Sequence, residues 1–201
     1  MEIVILPTGI YMTNTYIIVN NGEAVVIDPG AQASYITDTV KRHGGTIKHI
    51  LITHAHFDHV GAVADLKTDG VTVCVSAVDT ALREKIQSVG DDIYVKPYAV
   101  DRTFGDCDVL ELCGIKFEVI ATPGHTPGSC CFICNDECMF SGDTLFRLGV
   151  GRTDFIGGDR TELIKSLKKL FALSTDYPVY PGHGEPTTLF TERKNNPYAR
   201  S

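Results

Sequence analysis

The chain has 201 residues, 43% hydrophobic and 21% charged, the proportions of an ordinary globular protein long enough to bury a sizeable core. Its formal net charge of −7 argues against a nucleic-acid ligand, whose phosphates are bound by clustered lysine and arginine. No run approaches the roughly 18 consecutive apolar residues of a membrane span, and Met1 to Pro7 lack the basic and apolar regions of an export signal, so a cytoplasmic protein that meets no membrane is expected.

In chain order, strands are expected at Glu2–Leu6, Asn14–Val19 and Glu23–Ile27, the last closed by Asp28-Pro29-Gly30, and then a helix over Ala33–His43. An apolar strand ends at Thr53. A helix over Val60–Lys67, a strand at Val71–Val75 and a helix from Val78, capped by Ser76, complete two successive βα units. From Val109 the pattern becomes strand after strand, at Val109–Leu112, Lys116–Ala121, Ser129–Cys134 and Glu137–Ser141. A helix at Arg160–Leu173, a last strand at Pro178–Tyr180 and one short C-terminal helix follow. Two halves that each hold strands and helices suit a layered α/β protein in which a pair of sheets is covered outside by helices. No short-period repeat, low-complexity run or linker divides the chain.

The run His54-Ala55-His56-Phe57-Asp58-His59 packs three imidazoles and a carboxylate into six residues directly after the apolar segment that ends at Thr53. A strand passing into a helix can aim alternate side chains at one point, so His54 and His56 can share one ion while Asp58 and His59 face a second. The bland alternative is a polar helix start, with Asp58 or Thr53 as its cap and the histidines in solvent. Further ligand-type residues stand among glycines and prolines, which permit tight turns close to an ion: His125 within Thr122–Gly128, Asp143 within Phe140–Thr144 and His183 within Tyr180–Gly184. Five histidines and two aspartates suffice for two adjacent divalent ions if Asp143 bridges them, a hydrolytic arrangement. Imidazole with carboxylate suits zinc, and also iron or manganese.

Seven cysteines, an odd number, fit reduced thiols better than a disulfide framework. Cys131 and Cys134 have zinc-knuckle spacing, but no second such pair follows. On a strand, Cys130 and Cys134 share one face while Cys131 points to the other, as core packing requires. His43 and His49 lie outside every ligand motif and read as surface or strand-edge residues, and Lys165, Lys168 and Lys169 as a solvated helix face.

The motifs HAHFDH, PGHTPG, SGDTLF and PGHG, in this order and across nearly the whole chain, resemble the metallo-β-lactamase superfamily and, within it, the short bacterial glyoxalase II-like hydrolases. The resemblance implies a four-layer αββα sandwich forming a single metallo-hydrolase domain over residues 1–201. It implies that His54, His56 and His125 hold a first metal and Asp58, His59 and His183 a second, with Asp143 between them. The implied reaction is hydrolysis of a thioester such as S-lactoylglutathione by water activated between the ions, Asp58 orienting that water and accepting its proton. Arg152 stands where glyoxalase II enzymes carry a basic residue that contacts glutathione, the alternative being a surface pair with Asp154 or Asp159. The family's aromatic two positions later is Asp154 here. Only 18 residues follow His183, so the expectation is the short form without the helical domain that supplies much of the glutathione site.

Three rival chemistries stand beside this one. The segment Gly151-Arg152-Thr153-Asp154-Phe155 also resembles persulfide dioxygenases, which use one iron, and lactonases attack cyclic esters by the same route. True β-lactamases of this fold do not use a bridging carboxylate such as Asp143. A non-enzymatic domain stabilised by metal fits less well, because structural zinc sites are closed by four strong ligands, often thiolates.

Overall fold

The computed structural model describes residues 1–87 and 94–199. Its first half builds a sheet from β1 (Glu2–Thr8), β2 (Thr13–Asn20), β3 (Glu23–Ile27), β4 (Thr46–Leu51), β5 (Thr72–Ser76) and β6 (Arg102–Phe104), hydrogen-bonded in that order. The first three strands run antiparallel through tight connections, and β3 to β6 are parallel because helical segments cross between them. Those segments are α1 (Ala33–Arg42), then α2 (Phe57–Val60) with α3 (Val63–Leu66), and α4 (Ala77–Gln87).

The second half contributes β7 (Val109–Leu112), β8 (Ile115–Ala121), β9 (Cys130–Cys134) and β10 (Cys138–Gly142), a small hairpin of β11 (Leu145–Phe146) and β12 (Gly149–Val150), helix α5 (Arg160–Phe171), β13 (Pro178–Pro181), β14 (Thr187–Thr188) and α6 (Leu189–Asn195). Its sheet has the order β14-β13-β10-β9-β8-β7. Asp159 starts α5 by accepting from the amides of Thr161 and Glu162.

Strand alternation sorts the buried side chains into three cores, and three cores between layers mean four layers. Ile17, Ala24, Val26 and Ile50 point from the first sheet toward Ile36 and Val40 of α1 and Leu66 of α3. Their strand neighbours Tyr16, Ile18, Val25 and Leu51 face Phe117, Phe132 and Phe140 of the second sheet. Cys131, Ile133 and Met139 leave the far face of that sheet and meet Leu163, Leu167 and Leu170 of α5. Strands buried on both faces read as unbroken apolar runs, which is why β2 and β3 are so plain in the sequence. The architecture is the expected αββα sandwich. All seven cysteines are free thiols, and Cys130 and Cys134 do face the core opposite to that of Cys131.

The helix expected over Val60–Lys67 is instead two single turns, α2 and α3. The amide of Ala62 donates to Pro29 O at 2.9 Å rather than back into a helix, and Gly61 packs so tightly on the carbonyl of Gly30 that a Cβ there would collide. Turning starts at Phe57, three residues earlier than expected, which puts Asp58 and His59 on the first turn. Among the described residues no helix is long and apolar enough to cross a membrane.

Hydrogen bonds join the sheets at the end where these loops gather. Asn14 Nδ2 donates to the carbonyls of Pro181 and Gly184, and the Tyr16 hydroxyl donates to Pro181 O at 2.6 Å. The amide of Cys130 donates to Thr53 O at 3.0 Å.

Candidate metal centre

Beyond the end of β4 the chain stays extended through Thr53, whose amide and hydroxyl donate to the two oxygens of Asp28 at 2.8 and 2.6 Å. That grip aims the next residue, His54, between the sheets. The amide of Ala55 donates to Asp79 Oδ2 at 2.9 Å, and His56 then occupies the N-cap position of α2. His125 arrives on the loop from β8 to β9, Asp143 directly after β10 and His183 directly after β13. His54, His56, His59 and His125 are buried, so the solvated helix start is ruled out.

The outer hydrogen bonds of the imidazoles decide which nitrogen faces the centre. Thr53 Oγ1 gives its proton to Asp28 and so accepts from His54 Nδ1 at 3.1 Å. His59 Nδ1 donates to Asp28 Oδ2 at 3.0 Å, His125 Nδ1 to Arg152 O at 2.7 Å and His183 Nδ1 to Tyr11 O at 3.1 Å. In the neutral form of each of these four rings, Nε2 then keeps its lone pair. His56 instead turns Nδ1 toward His125 Nε2, 2.8 Å away. Gly151 is needed behind this group, since a Cβ would meet both Asp143 O and His125 Nδ1.

The free atoms converge. His54, His56 and His125 form one three-donor group and Asp58, His59 and His183 another, each with ligand atoms within 4.8 Å of one another. Asp143 lies between them: Oδ2 is 3.4 Å from His125 Nε2 and 3.5 Å from His183 Nε2, and Oδ1 is 3.4 Å from His59 Nε2. Asp58 Oδ2 is 3.2 Å from His183 Nε2 and 3.7 Å from His59 Nε2. An ion bound tetrahedrally at about 2.05 Å spaces its ligand atoms about 3.3 Å apart, so these gaps match polyhedron edges. Nε2 of His54 and His59 and Oδ1 of Asp143 are buried without a hydrogen-bond partner, which is costly unless a cation meets them. A third group, Asp28 with His54 and His59, also has metal-binding spacing. There both oxygens of Asp28 are already taken by Thr53 and His59, which makes Asp28 a support.

The protonation states suit a cation. Burial, reinforced by the neighbouring histidines, holds His54 well below the ordinary histidine range and pushes His56 down to about 3. Burial opposes the charge on Asp58, but His59, His183 and the Thr13 hydroxyl outweigh it and hold the carboxyl below its usual range. Asp143 is held low against burial chiefly by His59. His59 itself is raised, burial being overcome by Asp143, Asp58 and Asp28; in a loaded centre the cation takes that proton's place. Neutral imidazoles and ionised carboxylates are the ligating forms.

Two supports escape a sequence reading. Asp28 is one, and its only signal is the Asp-Pro-Gly that closes β3. Asp79 is the other: fully buried, it accepts from Ala55 N, Thr126 Oγ1 and Gly128 N, tying the loop of His54 and His56 to the loop of His125. Its signal is the spacing Ser76-x-x-Asp79 at a helix start, where Ser76 Oγ accepts from Asp79 N as the expected cap.

Arg152 is at the rim and already engaged. Its guanidinium meets Asp154 through two 2.6 Å hydrogen bonds and lies 4.0 Å from the centroid of the Phe155 ring. Phe155, one residue beyond the position where the resemblance implies an aromatic, meets His56 edge-on at 5.5 Å. His43 pairs with Glu2 at 2.9 Å, and neither it nor His49 joins the metal-binding groups.

A family model for the metallo-beta-lactamase superfamily matches residues 8–183. The hydroxyacylglutathione hydrolase GloC of Haemophilus influenzae is 36% identical over 211 residues, covering 100% of this chain and 99% of that one. Among solved structures, the BLEG-1 B3 metallo-beta-lactamase superposes with a TM-score of 0.89 at 35% identity over 100% of both chains. TTHA1623 in a di-iron-bound form superposes at 0.86 and 36% identity, over 97% of this chain and 99% of that one.

Proposed function

The chain belongs to the metallo-beta-lactamase superfamily, and from that membership we propose that it is a binuclear metal hydrolase that cleaves a thioester such as S-lactoylglutathione into a hydroxy acid and a thiol. The observation that carries this reading is the pair of three-donor groups astride Asp143, built from imidazole and carboxylate alone. Such a set leaves coordination positions for water and substrate, unlike a closed thiolate site. His54, His56 and His125 would hold one ion, Asp58, His59 and His183 the other, and Asp143 both. Zinc is the ion proposed; iron and manganese accept the same donors, and TTHA1623 binds two irons. The metal pair supplies Lewis acidity and a water acidic enough to be deprotonated near neutral pH.

The chain's own groups do the rest. Asp58, held ionised by His59, His183 and Thr13, orients the attacking water and receives its proton. Arg152 can leave Asp154 for a substrate carboxylate, because both side chains of the pair are exposed to solvent and such a pair holds only weakly. Free thiols at all seven cysteines support a reducing, cytoplasmic setting, and the net charge supports a small-molecule substrate over nucleic acid.

Metal analysis of the purified chain, with S-lactoylglutathione hydrolysis followed under nitrogen, tests the reading. Near two metals per chain and rapid thiol release are expected, abolished in Asp58→Ala and His56→Ala. Full turnover in Asp58→Ala would remove the mechanism. Oxygen uptake on glutathione persulfide and turnover of a β-lactam serve as matched controls, the latter because BLEG-1 is a lactamase at 35% identity.

A further inference from the structure

Away from the histidine cluster, the hairpin of β9 and β10 gathers sulfur. The zinc-knuckle pairing of Cys131 with Cys134 does not form, because the two thiols stand on opposite faces of β9 and in different cores. Cys134 instead faces Cys138, its direct partner across the antiparallel ladder, and side chains so paired share a face. Their turn is firmly pinned: Asn135 and Asp136 both hold positive φ, of 48° and 57°, Glu137 N donates to Cys134 O at 2.8 Å, and Asn135 and Lys116 exchange two hydrogen bonds of 2.9 Å. The two thiols are hydrogen-bonded to each other, which pushes Cys134 up and holds Cys138 below the ordinary thiol range. A third sulfur completes the group, Met1 Sδ at 3.8 Å from Cys134 Sγ. Both thiols are buried and Met1 is half exposed, so the group sits at the edge of a core.

We infer that Cys134, Cys138 and Met1 form a separate metal site, which takes one monovalent copper ion at the end of β10 opposite to Asp143. Two thiols and a thioether are soft donors, the kind that selects Cu(I). Sulfur atoms held about 2.3 Å from one ion stand about 3.8–4.0 Å apart, and the gap between Cys134 and Met1 is 3.8 Å. Zinc fits less well: its closed sites take four strong ligands, and among the described residues no histidine or carboxylate joins these thiols in a metal-binding group. The turn already fixes the spacing of the pair, so the backbone has little ordering left to do on binding. Cu(I) displaces the two thiol protons and leaves a bis-thiolate complex of one negative charge. Cys138 opens β10 and Asp143 follows its last residue, so one strand carries soft donors at one end and a carboxylate among imidazoles at the other. At about 3.3 Å per residue the two ends are about 16 Å apart, too far to share an ion.

The test titrates the reduced, metal-loaded full chain with Cu(I) under nitrogen, in competition with the chelator bathocuproine disulfonate. One Cu(I) per chain is expected, with the resident metal retained and copper X-ray absorption showing sulfur donors alone. Cys138→Ser should weaken that binding more than about 100-fold, since even the loss of an outer partner costs about 10–100-fold. Cys131→Ser, on the opposite face, and Cys107→Ser, at an exposed thiol, should leave it unchanged. Circular dichroism separates a lost site from a lost fold, and Cys138→Ala, which suits an apolar core, gives the same reading if serine disturbs the packing. Release of the resident metal with nitrogen donors around copper would put the ion in the histidine cluster and overturn the site. Binding that survives in both Cys138 variants overturns it as well. So does a reduced parent that takes no copper from the chelator, even if Cys134 and Cys138 then close a disulfide in air.

Discussion

Four imidazoles of the centre each spend one nitrogen on an outward hydrogen bond, so their ligating power depends on residues that never touch an ion. Asp28 carries two of those supports, directly to His59 and through Thr53 to His54. Asp28→Asn keeps the shape but turns an acceptor into a donor, and loss of such an outer partner costs about 10–100-fold in metal affinity. Titration against a chromophoric chelator should show that loss; parent-like retention would mean that His59 holds its orientation without Asp28. Arg152→Ala should raise the Michaelis constant for an anionic thiol ester severalfold while kcat is kept, since the substitution leaves the carbonyl that holds His125 and removes only a side chain that meets Asp154 and Phe155. A matched fall in kcat would place Arg152 in the chemical step. The candidate donors stand out in the sequence because four of them crowd into six residues. Asp28 and Asp79 do not, because a lone aspartate at a strand end or helix start looks like a cap until folding brings its partners from 24 to 49 residues away.

Among the elements, those long enough to carry a periodicity matched expectation to within a residue or two: β2, β3, β8, β9, α1 and α5 all have a face or both faces in a core. Those that did not match are set by contacts distant in sequence. β6, β11, β12 and β14 have two or three residues each, too few to show alternation, and exist because an adjoining strand offers an edge. The helix expected at Val60–Lys67 gave way because Pro29 and Gly30 compete for its backbone. Where a helix does stand on local chemistry, the effect of one residue is measurable: Asp159→Ala removes two hydrogen bonds from the start of α5 and should cost about 1 kcal/mol. For a chain of this size that is a fall of about 2–4 °C in melting temperature. A shift within 0.5 °C would show that packing of Leu163 and Leu167 alone holds that helix start.

At the scale of the whole molecule, the three cores are built without the centre. Removing metal with a chelator should leave the far-ultraviolet circular dichroism unchanged and a single cooperative melt, lowered in temperature, because an ion that binds only the folded form adds about 4 kcal/mol at a thousand times its dissociation constant. Loss of the folded signal on chelation would instead favour a metal that serves folding. The layered class was readable from two halves each holding strands and helices. The pairing order of each sheet was not, because sequence periodicity reports which face a residue takes and not which strand lies beside it.

Asn14 and Tyr16 reach Pro181 across 167 and 165 residues of chain, and the donor set itself runs from His54 to His183. A ribosome adding about 5–20 residues per second therefore exposes the His54–His59 segment for several seconds or more before its last counterpart is even made. An ion that needs the whole donor set is then chosen by the folded cage and not by the emerging peptide. Which metal the protein carries becomes a property of the pool it meets at that moment, so the same gene expressed in iron-rich and zinc-rich media should yield differently loaded protein.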